Sequence, residues 1–299
     1  MDINNSNRYL MYIPHGINSE TFFPIDKDVH VEEYKRFLEL KKQIFANKGE
    51  PEFVVLYNNR NIRRKLVTNV ILAFNKFVQE LPEEKREKAV LILHTAPVDE
   101  NGTDLPAVVS ALTPNCNIVF SASRVAPNDL NALYNLSDVV MSMSNAEGFG
   151  LATAEGLMCG KMMIATVTGG LQDQMRFEDE NGKWIDFDAE FQTNHRGKYT
   201  KCGEWAIPLF PDAISLTGSI PTPYIYESYV DWQKGAEALH KVYNIPKEER
   251  IKIGIKAREW MLSQESGMSA INMAQRFING IDMTFKNWKP RKRFTLYKI

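Results

Sequence analysis

Residues 138–170 read DVVMSMSNAEGFGLATAEGLMCGKMMIATVTGG. An apolar run of strand length leads into a polar, glycine-rich turn. A helical stretch closed by Gly160 follows, and a second apolar run ends in Gly169 and Gly170. Two neighbouring parallel strands need a crossover of this kind, usually a helix. Strands that are apolar along their whole length are buried on both faces, so the pattern predicts a parallel sheet wrapped by helices.

The unit recurs upstream. FVVLYN (53–58) reads as a strand, and KLVTNVILAFNKFVQEL (65–81) carries Leu66, Val70, Ile71, Phe74 and Phe77 at helical spacing. KAVLILHTA (88–96) and NIVFSA (117–122) are further strands, with NDLNALYNLS (128–137) a short helix. The fold class expected is therefore α/β, a Rossmann-like parallel sheet with helices on both faces, over residues 52–177. Residues 1–51 hold the turn-rich YIPHGINSETFFPID and one helix in VEEYKRFLELKKQIF, and read as a linker segment. Residues 178–225, rich in Asp, Gly, Pro and aromatics without a sustained period, read as an irregular insertion. Residues 226–286 regain helical spacing, and 287–299 form a basic tail.

Composition narrows the function classes. The chain has 299 residues, 44% hydrophobic and 24% charged, an ordinary globular make-up. Lys plus Arg (36) nearly balances Asp plus Glu (37), which gives no global pull toward nucleic acid. Cys116, Cys159 and Cys202 have no metal-ligand spacing and are too few to staple the chain, so a reducing cytoplasm is expected. No run approaches the length of a membrane span, and MDINNSNRYL lacks the basic-then-apolar order of a signal peptide.

The candidate site lies where ligands bind in such sheets, beyond the carboxyl ends of the strands. Glu147 sits in the loop after DVVMSMS, Gly148-Phe149-Gly150 makes the turn, and Leu151 starts a helix with Glu155 about one turn in. Glycines let backbone approach a ligand closely, and a helix N-terminus offers free amides to a phosphate. A carboxylate accepts two hydrogen bonds, which suits a vicinal diol on ribose or a hexose. NNRNIRRKL (58–66) opens onto the same sheet edge and brings Arg60 and Lys65 as cations for a diphosphate, while TGGLQDQ (168–174) adds Gly169 and Gly170 at the rim. Arg63 and Arg64 read as surface residues.

Together these stretches resemble the donor-binding half of a retaining glycosyltransferase of the GT-B type, most like the large family four of glycosyltransferases. The resemblance is carried by YIPHGIN with FFP, by NRNIRRK, and above all by LNALYNLSDVVMSMSNAEGFGLATAEGLMCGKMMIATVTGG (130–170). It covers residues 11 to about 175 closely and the C-terminal helices loosely. It implies that Glu147 stands near the donor sugar and the reacting centre, with Glu155 on the nucleotide ribose. Gly148, Phe149, Gly150 and Leu151 would offer amides to sugar and phosphate, and Arg60 and Lys65 would hold the diphosphate. It implies no cofactor and no metal, only a nucleoside-diphosphate sugar as donor substrate.

His15 in the linker is either a cleft contact or a hinge and packing residue. His94 is either a sugar or phosphate contact or a structural histidine, and Asp173 is either a ligand to donor hydroxyls or not involved. The resemblance also implies an N-terminal acceptor domain, for which only about fifty residues are at hand. Three readings follow. The first is a glycosyltransferase acting on an unknown acceptor, whether glycan, protein or lipid. The second is a non-catalytic sugar-nucleotide-binding or scaffold module that needs a partner chain. The third, prompted only by the tail KNWKPRKRF, is an enzyme that glycosylates DNA.

Overall fold

Phe53, Val54, Val55, Leu56 and Tyr57 are all buried, as an apolar strand covered on both faces must be. The computed structural model describes residues 11–46, 49–121, 124–185, 197–218 and 220–289. In chain order the elements are α1 (Val31–Phe45), β1 (Phe53–Asn58), α2 (Val67–Gln79), α3 (Glu83–Arg86), β2 (Ala89–His94) and α4 (Leu105–Leu112). Next come β3 (Ile118–Phe120), α5 (Pro127–Leu136), β4 (Val139–Ser142), α6 (Leu151–Met158), β5 (Met162–Thr166) and α7 (Leu171–Met175). The chain continues through β6 (Ala206–Leu209), β7 (Ala213–Leu216), β8 (Tyr226–Tyr229), α8 (Trp232–Tyr243), α9 (Lys247–Leu262) and α10 (Ala270–Asn287).

The main sheet is parallel throughout, in the order β3-β2-β1-β4-β5-β6. The order reverses between β1 and β4, where loops leaving adjacent strands part to opposite faces and open a crevice. Phe53, Phe74, Phe77 and Tyr243 pack ring against ring and join β1, α2 and α8 into one core. Residues 11–25 cross the molecule rather than hanging free. The amide of Ile17 donates to Met268 O (2.9 Å) and Ala270 returns a bond to Ile17 O (2.9 Å), while Asn131 and Asn135 of α5 accept from Phe23 and Ile25.

The stretch expected to be irregular over 178–225 departs from that reading. It carries β6, which pairs with β5 through Ala206–Leu209, so the sheet runs past residue 177. It also carries β7, which forms an antiparallel hairpin with β8. β6 is a four-residue edge strand with Pro208 inside it, too short and too interrupted to show a period. α4 was unforeseen as well, although Asp104 caps it by accepting from the Ala107 amide (3.0 Å). Residues 290–299, most of the basic tail, lie outside the described residues.

Candidate functional site

The crevice beyond β1 and β4 has a volume of about 630 Å³, and its walls include His15, Asn58, Arg60, Lys65, Glu147 and Glu155. The loop after β1 closes into a 3-10 turn at Arg63–Lys65, and Leu66 takes a left-handed conformation (φ 45°) that is costly for a branched side chain. This turn drives Lys65 inward. Its side chain is 6% exposed and its ammonium pairs with Glu147, itself 10% exposed. Burial lowers the Lys65 pKa below the ordinary lysine range, against the opposing pull of Glu147. Arg64, expected at the surface, also lines the crevice: it donates to Ala146 O (2.6 Å) and lies 3.9 Å from Glu147. The Asn145 amide donates to Arg64 O (2.8 Å), so the loops after β1 and β4 are bonded together.

Glu155 reaches the crevice from the first turns of α6. The Tyr134 hydroxyl donates to it (2.6 Å), and Asn58 Nδ2 donates to the Tyr134 oxygen (2.8 Å). Burial raises the Glu155 pKa, with the tyrosine hydrogen bond opposing. The chain of bonds leaves the second carboxylate oxygen of Glu155 available to a ligand.

The Glu147–Gly150 loop is oriented from beneath. Gly170 donates to Gly148 O (3.1 Å), and the buried Gln174 amide donates to Phe149 O (2.6 Å) and Gly150 O (3.0 Å). In a trans peptide the N–H points opposite the carbonyl before it. The amides of Phe149, Gly150 and Leu151 therefore point away from α7, toward the crevice. Gly150 holds the turn at φ 88°, and a Cβ at Gly169 would stand 1.7 Å from Glu147 O. Gly169 and Gly170 thus shape the loop from behind instead of lining the crevice. Gly148 is exposed, with open space where a Cβ would be.

The remaining candidates divide. His15 lines the crevice and lies against Phe149, ring centroids 5.2 Å apart, so it both packs and faces the site. Arg60 is at the rim, 63% exposed, and donates to Asp99 (3.1 Å). His94 bonds Ser121 Oγ (3.0 Å) outside the crevice wall, and burial lowers its pKa. Asp173 accepts from the Tyr12 hydroxyl (2.6 Å), tying the N-terminal segment to α7, and does not line the crevice. Asn58, Arg64, Tyr134 and Gln174 were missed. Tyr134 sits at apolar helix spacing and reads as core, and Gln174 reads as a surface polar residue. Among the described residues no group of three or more His, Cys, Asp or Glu is placed to hold a metal ion, and no helix is long and apolar enough to cross a membrane.

The family described as Glycosyl transferases group 1 matches residues 39–192, just over half of the chain. D-inositol 3-phosphate glycosyltransferase of Corynebacterium jeikeium is 30% identical over 118 residues, which is 39% of this chain and 26% of that protein. Anabaena HepE, solved in complex with UDP-glucose, superposes with a TM-score of 0.59 at 16% identity, covering 91% of this chain and 57% of that one. The C-terminal domain of the group 1 glycosyl transferase LpcC from Francisella tularensis gives a TM-score of 0.50 at 16% identity, covering 82% of this chain and 96% of that one. The chain therefore spans about a quarter of the curated relative and just over half of the HepE chain.

Proposed function

This chain belongs to the glycosyl transferases group 1 family, and on that premise we propose that it binds a nucleoside-diphosphate sugar in the crevice beyond β1 and β4 and takes part in sugar transfer with retention at the anomeric carbon. The observation that carries this reading is the loop whose carbonyls are held by Gly170 and Gln174, so that its amides face the buried ammonium of Lys65 across the crevice. A diphosphate between them meets amides and the positive end of α6 on one side, and Lys65 and Arg64 on the other. Those groups would stabilise negative charge as it develops on the departing diphosphate, the largest electrostatic need of the reaction, and the reading requires no metal ion for it. Arg60, at the rim, would turn from Asp99 to the outer phosphate. Glu155 would accept from the ribose hydroxyls, and Glu147 from the sugar. The HepE complex, a related fold with UDP-glucose bound, supports a nucleotide-sugar donor. The acceptor would be a glycan, protein or lipid, met in the cytoplasm.

Proton NMR of purified protein with a panel of nucleotide sugars tests this directly. Slow release of sugar whose first anomeric signal keeps the donor's configuration is expected. Inverted product would overturn retention.

A second reading has its own support: a sugar-nucleotide-binding module whose acceptor side comes from a partner chain. α10 leaves Ile271, Phe277, Ile278, Ile281 and Phe285 exposed, and with Met11 and Ile13 some of these line an apolar groove of about 340 Å³. This chain covers only 57% of the HepE chain, so a further domain of that kind, on a partner chain, is the occupant this face fits. Turnover by the purified chain alone would count against that reading.

A further inference from the structure

The amino ends of the strands, opposite the crevice, hold a second cavity. It lies under α1, among Pro51 before β1, Asp138 before β4, Lys161 before β5 and the first turn of α9, with a volume of about 240 Å³. A neighbouring hollow of about 270 Å³ shares Phe37, Asn135 and Lys161 with it and continues between Tyr34, Ile251 and Ile255. One end of the combined space is cationic and the other is apolar.

The cationic end is not balanced by the protein. Lys41, Lys161, Lys247 and Arg250 line it, against Glu50 and Asp138. Glu50 is paired with Lys41. Both oxygens of Asp138 are engaged, one accepting from the Val54 amide (2.8 Å) and the other from Arg250 Nη2 (3.0 Å). Lys161 and Lys247 have no carboxylate within ion-pair distance among the described residues. The Lys161 ammonium, with three protons to donate, makes one bond, to Asn135 O (3.1 Å). Arg250 is 7% exposed, and its Nε is buried without a partner. Its Nη groups are occupied by Asp138 and the carbonyls of Tyr243 and Ile245, and its guanidinium lies over the Phe53 ring. The fold thus accounts for the Nη groups but not for the Nε.

Buried cations are normally paired, because removing them from water without a counter-charge is costly. Burial already lowers the Lys161 pKa, opposed by Asp138. The N-terminus of α9 adds partial positive charge at the same end. We propose that this cavity is a second binding site, independent of the donor crevice, for a small phosphate monoester. Its phosphate would sit between Lys161 and Lys247, with the buried Arg250 guanidinium adding positive charge behind them, and its apolar part would extend beneath α1 toward Tyr34 and Ile255. No covalent step is involved.

The test is calorimetry with inorganic phosphate and with phenyl phosphate on the full chain. Because the donor crevice can also take phosphate, Lys65→Met is the control for that site. Lys161→Met and Lys247→Ala should each weaken phenyl phosphate binding about tenfold or more, as expected for loss of a charged hydrogen-bond partner. Lys65→Met should leave that binding event in place, and phenyl phosphate should bind more tightly than inorganic phosphate. Lys247 is exposed, so its variant reads out binding even if Lys161→Met folds poorly. The proposal is overturned if no phosphate compound binds, if Lys65→Met alone abolishes binding, or if Lys247→Ala changes nothing. Equal affinity for the two probes would remove the apolar extension from it.

Discussion

At the residue scale, Glu155 is held in a costly state. Burial raises its pKa in the folded chain above that in the unfolded chain, so ionisation above the ordinary glutamate range favours unfolding. Stability from this group is complete at acid pH and is lost as the pH rises through the folded pKa. Glu155→Gln keeps an acceptor for Tyr134 and removes the charge. The variant should melt higher than wild type at pH 7, with the gap closing toward about pH 4, while nucleotide affinity falls about tenfold. Thermal melts at the two pH values check this, and a lower melting point at pH 7 would contradict it. Glu147, Glu155 and Lys65 could be placed at the crevice because each follows the carboxyl end of an apolar strand, where a parallel sheet opens to ligands. Arg64 was not, since RRK offers three equivalent cations and only the 3-10 turn selects which of them face inward.

At the element scale, the crevice depends on α7 holding the loop before α6. Gln174→Ala would leave the Phe149 carbonyl without its donor and remove one of three donors from Gly150 O, which keeps the Thr153 hydroxyl and the Ala154 amide. A stability loss of about 1–3 kcal/mol is expected for such a buried acceptor, with weaker nucleotide binding even where the variant remains folded. Denaturant unfolding and a nucleotide titration measure the two effects; unchanged nucleotide affinity would show that the amides are oriented by something else. The parallel strands β1 to β5 were readable because each is a continuous apolar run between helical periods. β6 and the β7–β8 hairpin were not, because Pro208 interrupts the first, polar residues break the apolar run in the other two, and all three lie among Gly and Pro. Tyr134 illustrates the limit within the site: its ring is core, and only the position of its hydroxyl between Asn58 and Glu155 gives it a polar role.

At the scale of the whole molecule, the two edges of one sheet have different characters. The carboxyl edge gathers paired charges and free amides around a large crevice, and the amino edge gathers more cations than carboxylates around a smaller one. The exposed face of α10 is a third surface, whose groove shares no lining residue with the crevice. Phe277→Ser with Phe285→Ser should leave nucleotide affinity unchanged and reduce association with an acceptor-side partner, read by light scattering of the mixture. Loss of nucleotide affinity would mean that α10 supports the crevice itself. The most direct test of the central claim is titration calorimetry of the purified chain against uridine, guanosine and adenosine diphosphates and their sugar conjugates, repeated with Glu155→Ala. Saturable binding of one nucleotide class, weakened at least tenfold in the variant, is the predicted result; equal binding by both proteins, or none by either, would contradict the assignment of this crevice as a donor site.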